Sequence, residues 1–116
     1  LSRFSNLSKK KNEYRRAEAQ YRQTVHDIKS EVQRAVQDKT GARKSLVLAM
    51  KRSKAQEVTF LLHEKKMRQG MVSPIDYQTI TNSFLNSQAE ELNALLQYYL
   101  KRSVVKYYKG ISYIEQ

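Results

Sequence analysis

The sequence contains no cysteine and no tryptophan, and only one proline and three glycines in 116 residues. The lack of cysteine excludes disulfides and thiolate metal sites and leaves the redox compartment open. Nothing before Pro74 is obliged to interrupt a helix, because that proline is the only one. No apolar run approaches the ~18–20 residues that a membrane-spanning helix needs. A phosphate-cradling glycine loop, a zinc-ligand spacing and a nucleophile elbow are all absent. His26 and His63 stand too far apart on one helix to share a task. Glu90 and Glu91 are adjacent and so point to different sides of a helix, which removes them as an acid/base pair. The expectation is a protein that is not an enzyme and takes no cofactor or metal.

What the chain does have is charge and helical period. It is 40% hydrophobic and 28% charged, with a mean hydropathy of −0.76, a soluble composition that fits one domain at most. The net charge of +11 is unevenly placed. Residues 1–69 hold 18 Lys and Arg against 7 Asp and Glu, whereas residues 70–116 hold 4 of each. A basic arm suggests nucleic acid or anionic lipid as a partner. The cations are dispersed, however, and only Lys9-Lys10-Lys11 with Arg15-Arg16 forms a cluster, so a solvated helix face accounts for most of them. The tyrosine pairs Tyr98-Tyr99 and Tyr107-Tyr108 have the chemistry to stack on bases. Beside leucines at helical spacing they read instead as packing residues.

The stretch Arg68-Gln69-Gly70-Met71-Val72-Ser73-Pro74-Ile75-Asp76 organises the rest. Gly70 has no Cβ and can take the left-handed conformation that ends a helix. Ser73 suits an N-cap, Pro74 the first helical position, and Asp76 both the third position of a capping box and the positive end of the helix dipole. The chain is expected to reverse here.

Upstream, Tyr14, Tyr21, Ile28, Ala35, Ala42 and Ala49 recur at a strict seven-residue step. A second series runs Val25, Val32, Leu46, Phe60 and Met67, broken by Lys39 and Ser53. Two offset heptad series predict a coiled-coil-like helix of about sixty residues, or roughly 90 Å. Glu18–Arg22 and Glu64–Arg68 are i,i+4 pairs in the favourable order. Gly41, mid-helix, is either a tolerated weak point or the site of a bend or close helix contact. Before this helix, Leu1 to Leu7 lacks periodicity and reads as the end of an extended segment, with Ser5, Asn6 or Ser8 as candidate caps.

Downstream, about Ile75 to Tyr108 forms a second helix of some 34 residues, roughly 50 Å, ended by Gly110. Its apolar residues (Ile80, Phe84, Leu85, Leu92, Leu95, Leu96 and Val105 among them) cover more than one stripe, so it packs on two sides. No Lys or Arg lies between Ile75 and Gln97, and Gln78, Thr79, Thr81, Asn82, Ser83, Asn86, Ser87, Gln88 and Asn93 read as its polar face. The fold class expected is all-α, a long antiparallel helical hairpin with unequal arms. The part of the long arm beyond the short one keeps a heptad face (Tyr14, Tyr21, Val25, Ile28) with nothing here to bury it, so the segment belongs to something larger.

The turn and its flanks resemble the outer-membrane efflux channel family of the TolC type. Members carry Arg/Tyr-x-x-Gly-x-x-Ser/Thr-x-x-Asp-hydrophobic before their last long helix. Here Met67-Arg68-Gln69-Gly70-Met71-Val72-Ser73-Pro74-Ile75-Asp76-Tyr77 occupies that place. Ser87-Gln88-Ala89-Glu90, then Leu95 to Tyr99, then Tyr107-Tyr108-Lys109-Gly110 resemble the family's last long helix and its end. Leu1-Ser2-Arg3-Phe4-Ser5-Asn6 is similar to a membrane strand entering the long helix, and Lys11 to Val25 to the start of that helix. The likeness covers essentially the whole chain, as the second repeat of a protein about four times longer. One departure is that the tip, with Met67, Met71 and Val72, offers no ion pair of the kind that latches a periplasmic gate.

The resemblance implies a homotrimer whose helices build a periplasmic α-barrel, continued through the outer membrane by parts missing from this chain. The divisions expected are 1–7 (extended segment), 8–69 (long helix), 70–73 (periplasmic tip), 74–109 (return helix) and 110–116 (tail). A membrane-fusion adaptor would contact the tip residues Gly70, Met71, Val72 and Ser73, with Gly70, Ser73, Pro74 and Asp76 shaping the turn. The protein would be a passive export conduit of a tripartite efflux or type I secretion system, driven indirectly by an inner-membrane pump, with no nucleic acid as partner. The alternatives are an adaptor-type periplasmic hairpin, whose arms are normally near equal, and a basic coiled-coil module for nucleic acid, which leaves the turn without a purpose.

Overall fold

The computed structural model describes residues 1–115, with side chains through Ile111. It holds two helices, α1 (Ser2–Arg68, 67 residues) and α2 (Pro74–Glu115, 42 residues). By contacts the chain divides into two units, Leu1–Arg34 and Ala35–Gln116. Every residue from Leu1 to Thr24 in the first unit is exposed, Tyr14 and Tyr21 included. Arg22 pairs there with Glu18 at 2.7 Å, one turn away.

The second unit is the antiparallel hairpin. Arg52 of α1 meets Glu90 of α2 at 2.9 Å, and the Phe60 ring lies 5.1 Å from Phe84 and 5.9 Å from Tyr77. Moving back along α1 means moving forward along α2. The inward face of α1 joins the two heptad series: Ala35 and Ala49 are buried, and Ala42, Leu46, Phe60 and Met67 are half-buried. Ser53 is buried and Lys39 half-buried, so the two apparent breaks in the series lie in the seam. A serine fits where backbones come close, and a lysine stem lies along an apolar surface with its ammonium outward.

The α2 face opposite is Tyr77, Ile80, Phe84, Ser87, Glu91, Ala94, Tyr98 and Val105, of which Ser87 and Val105 are the most buried. Ser87 and Thr81 therefore do not belong to a solvent-facing polar stripe. Each hydroxyl donates back to its own helix, Ser87 Oγ to the Phe84 carbonyl at 2.6 Å and Thr81 Oγ1 to that of Tyr77 at 2.8 Å. With the hydroxyl satisfied, a small residue is admitted to the seam without an orphaned polar atom.

Two boundaries differ from the sequence expectation. Residues 1–7 are not an extended segment: α1 begins at Ser2, and the Ser5 amide donates to the Leu1 carbonyl at 3.2 Å. An extended run needs a strand partner and the described residues provide none, whereas lengthening an existing helix adds a hydrogen bond per residue. Gly110 does not end the return helix, which continues to Glu115, so residues 110–115 are helix and not a tail, and Gln116 lies outside the described residues. A glycine permits a left-handed turn without forcing one, and no N-cap and proline come after Gly110 as they do after Gly70. Gly41 is an ordinary helical position whose missing Cβ would meet nothing within 4 Å, which removes the close-contact reading within this chain.

Candidate functional site

The reversal is built by backbone geometry. Gly70 is the residue of positive φ among those described, at +73°. Its amide donates to the Met67 carbonyl at 3.0 Å, and the next amide, of Met71, reaches back to Lys66 at 2.9 Å. These are the two bonds of a Schellman motif, and they satisfy carbonyls that the end of α1 would otherwise leave free. Lys65, Lys66 and Arg68 in the last turn face the negative end of the dipole, and Arg68 also pairs with Glu64 at 2.7 Å.

Two residues later the return helix is capped. Ser73 Oγ accepts from the Asp76 amide at 3.1 Å, and the Ser73 carbonyl accepts from Tyr77 at 3.0 Å as the first bond of α2. Pro74 takes the first helical position, where its missing N–H costs nothing. Asp76 supplies the acidic charge of that first turn.

Between the two devices only Met71 and Val72 remain, and of these Met71 points outward. Met71 is 72% exposed and Ile75 76%, while Val72 is half-buried and Gly70, Ser73 and Pro74 are exposed. The tip is an apolar knob flanked by the exposed residues Gly70, Ser73 and Pro74. On one flank it opens into a shallow recess of about 320 Å³ lined by His63, Met71, Val72, Ser73, Asp76, Thr79 and Ile80. His63 Nδ1 donates to the Thr59 carbonyl at 2.8 Å, which fixes the ring.

The geometry thus brings Gly70, Met71, Val72, Ser73, Pro74 and Asp76 together and adds His63, Thr79 and Ile80, which the turn motif alone did not reach. The signal for His63 was present: the alanine series 35, 42, 49 continued by two heptads arrives at position 63. Elsewhere, Glu90 is engaged by Arg52 and Glu91 is half-buried beside it. Among the described residues no group of three His, Cys, Asp or Glu is placed to hold a metal, and no helix is long and apolar enough to cross a membrane.

Residues 2–104 match the family model described as outer membrane efflux protein. No curated protein and no solved structure matches the chain.

Proposed function

The chain belongs to the outer membrane efflux protein family, and from that premise we propose that it is the hairpin segment of an outer-membrane channel serving a tripartite efflux or type I secretion system. The observation that carries this reading is the extent of the match: it takes in both arms and the turn between them, and is not confined to one motif. In this reading the chain lies in the periplasm as part of a homotrimeric α-barrel. It moves nothing itself and gives exported molecules a passive path, with energy supplied by an inner-membrane pump. Its tip meets a periplasmic adaptor.

The tip suits that contact for a physical reason. Gly70, exposed and without a side chain, lets another helix end come close, and Met71 is an exposed, flexible apolar side chain that adapts to a partner's shape. Burying a charge there without a partner costs several kcal/mol. Met71→Glu or Val72→Arg in the full-length protein is therefore expected to abolish export at unchanged protein level, read as drug susceptibility or loss of secretion. Replacing Lys9, Lys10 and Lys11 by Gln is expected to leave export intact. Normal export by the tip variants together with failure of the lysine variant would refute the assignment.

A further inference from the structure

On the side of α1 turned away from α2, lysines and apolar residues alternate at helical spacing. Lys44, Val47, Leu48 and Lys51 make one repeat, at i, i+3, i+4 and i+7, and all are exposed. Two heptads on, Val58, Leu61, Leu62 and Lys65 repeat the pattern, again exposed, with valine in place of the first lysine. Steps of three and four residues are those of a coiled-coil seam. This one is distinct from the seam that faces α2, which uses Ala42, Leu46, Ala49, Ser53 and Phe60.

Two further observations bear on what would cover it. The first is shape: Thr40, Arg43, Lys44 and Val47, with Leu48, surround an open hollow of about 550 Å³ on this face. Residues at i, i+3, i+4 and i+7 are the four that form a hole for the knob of a partner helix. The second is charge. Lys44, Lys51 and Lys65 have no carboxylate partner among the described residues, so their charge is uncompensated on this face, whereas Lys54 and Arg68 beside them are each paired with a glutamate. From residue 40 to residue 69 the only acids of α1 are Glu57 and Glu64, and both lie off this face and are already paired.

We propose that this back face of α1 is a docking surface for an acidic amphipathic helix, one that carries carboxylates between its apolar residues at seven-residue intervals. Val47, Leu48, Leu61 and Leu62 supply the apolar contact, the lysine stems extend it, and the ammonium groups reach carboxylates on the partner. The same lysines exclude a second copy of the same face, since back-to-back packing sets ammonium against ammonium. A nucleic acid would use the cations and leave the leucines in water, which is why a helix is the better occupant. The surface is separate from the tip and stands whether or not the tip meets an adaptor.

The probe is a labelled synthetic peptide of about four heptads, long enough to hold a helix. Leu and Glu alternate along one of its seams, so either direction of packing sets Glu against Lys. Its binding to the 116-residue chain is followed by fluorescence anisotropy near physiological ionic strength. Joint replacement of Lys44, Lys51 and Lys65 by Glu is expected to weaken binding roughly tenfold or more. Leu48→Ser with Leu62→Ser is expected to do the same. Replacing Lys9, Lys10 and Lys11 by Glu removes the same net charge and is expected to change little. A peptide with Lys in place of Glu should bind the charge-reversed chain, which also shows that variant to be folded. Equal losses from the two lysine triples would reduce the effect to net charge and overturn the proposal. Binding that ignores the leucine replacements, or that a DNA duplex displaces from wild type and leucine variant alike, would make the face a polyanion contact and overturn it too.

Discussion

Replacing Gly70 by alanine isolates the backbone requirement of the reversal from everything else. At φ +73° an L-residue sets its Cβ against its own following carbonyl, which costs roughly 1–2 kcal/mol. A methyl group built there meets nothing within 4 Å, so no packing penalty is added. Alanine also lowers the entropy of the unfolded chain, which returns about 0.4–1 kcal/mol. The net expectation is a loss of about 1 kcal/mol, and more for valine, whose branched Cβ is harder to place at positive φ. The same exchange at Gly41 has the opposite sign. That residue is helical with open space around it, so Gly41→Ala should stabilise by about 0.5–1 kcal/mol. Urea unfolding of each variant, followed by far-ultraviolet circular dichroism, measures both. A semisynthetic chain with D-alanine at position 70 completes the set, because the D-residue prefers positive φ and should be at least as stable as wild type. An L-alanine variant at position 70 as stable as wild type, or a D-alanine variant as unstable as the L-form, would refute the account of the turn.

Ser73→Ala removes the acceptor of the Asp76 amide and should cost about 1 kcal/mol in the same unfolding assay, while Ser73→Asp should keep most of the stability; equal losses from both would deny the capping role. Hydrogen exchange on the dilute chain should find the amides of residues 5–24 poorly protected and those of 42–60 and 80–100 well protected, because only the latter stretches contribute seam residues to the hairpin. Uniform protection along α1 would contradict that division.

The parts of this fold that could be read from the sequence are those in which several local signals point one way. Gly70, Ser73, Pro74 and Asp76 each favour the same reversal for a different reason, and a hairpin with a 67-residue and a 42-residue arm is the outcome. Signals resting on a single residue type fared worse. Gly110 has the freedom to end a helix but nothing around it requires an end. Ser5 and Asn6 are suited to an N-cap, but that preference is exerted only where a helix starts, and the backbone bonds of α1 already run through them from Ser2. The seam itself was obscured by reading hydrophobicity where proximity was the criterion. Ser53 and Ser87 are buried in the seam because they are small, and Ser87 bonds back to its own helix, properties that a hydropathy pattern does not register.

The composition of that seam has an energetic consequence. Among the described residues its buried members are Ala35, Ala49, Val105, Ser53 and Ser87, and no large side chain is fully buried. On α2, Leu85, Leu92, Leu96, Tyr99 and Leu100 each remain half exposed or more. A leucine contributes about 1.5–3 kcal/mol only when wholly removed from water, so much of the apolar surface of α2 goes unused in the hairpin. The distribution, with the most buried positions mostly small and many large apolar side chains exposed, is not that of a self-sufficient two-helix fold. It suits a helix pair whose close approach sets a spacing and whose outer faces are completed by other helices. The row Leu85, Ala89, Leu92, Leu96, Tyr99, at steps of four and three, is the clearest such face on α2. With no charge on that row it lacks the lysines that mark the back of α1. In the proposed barrel the two faces, one lysine-bearing and one uncharged, would therefore call for neighbours of different chemistry.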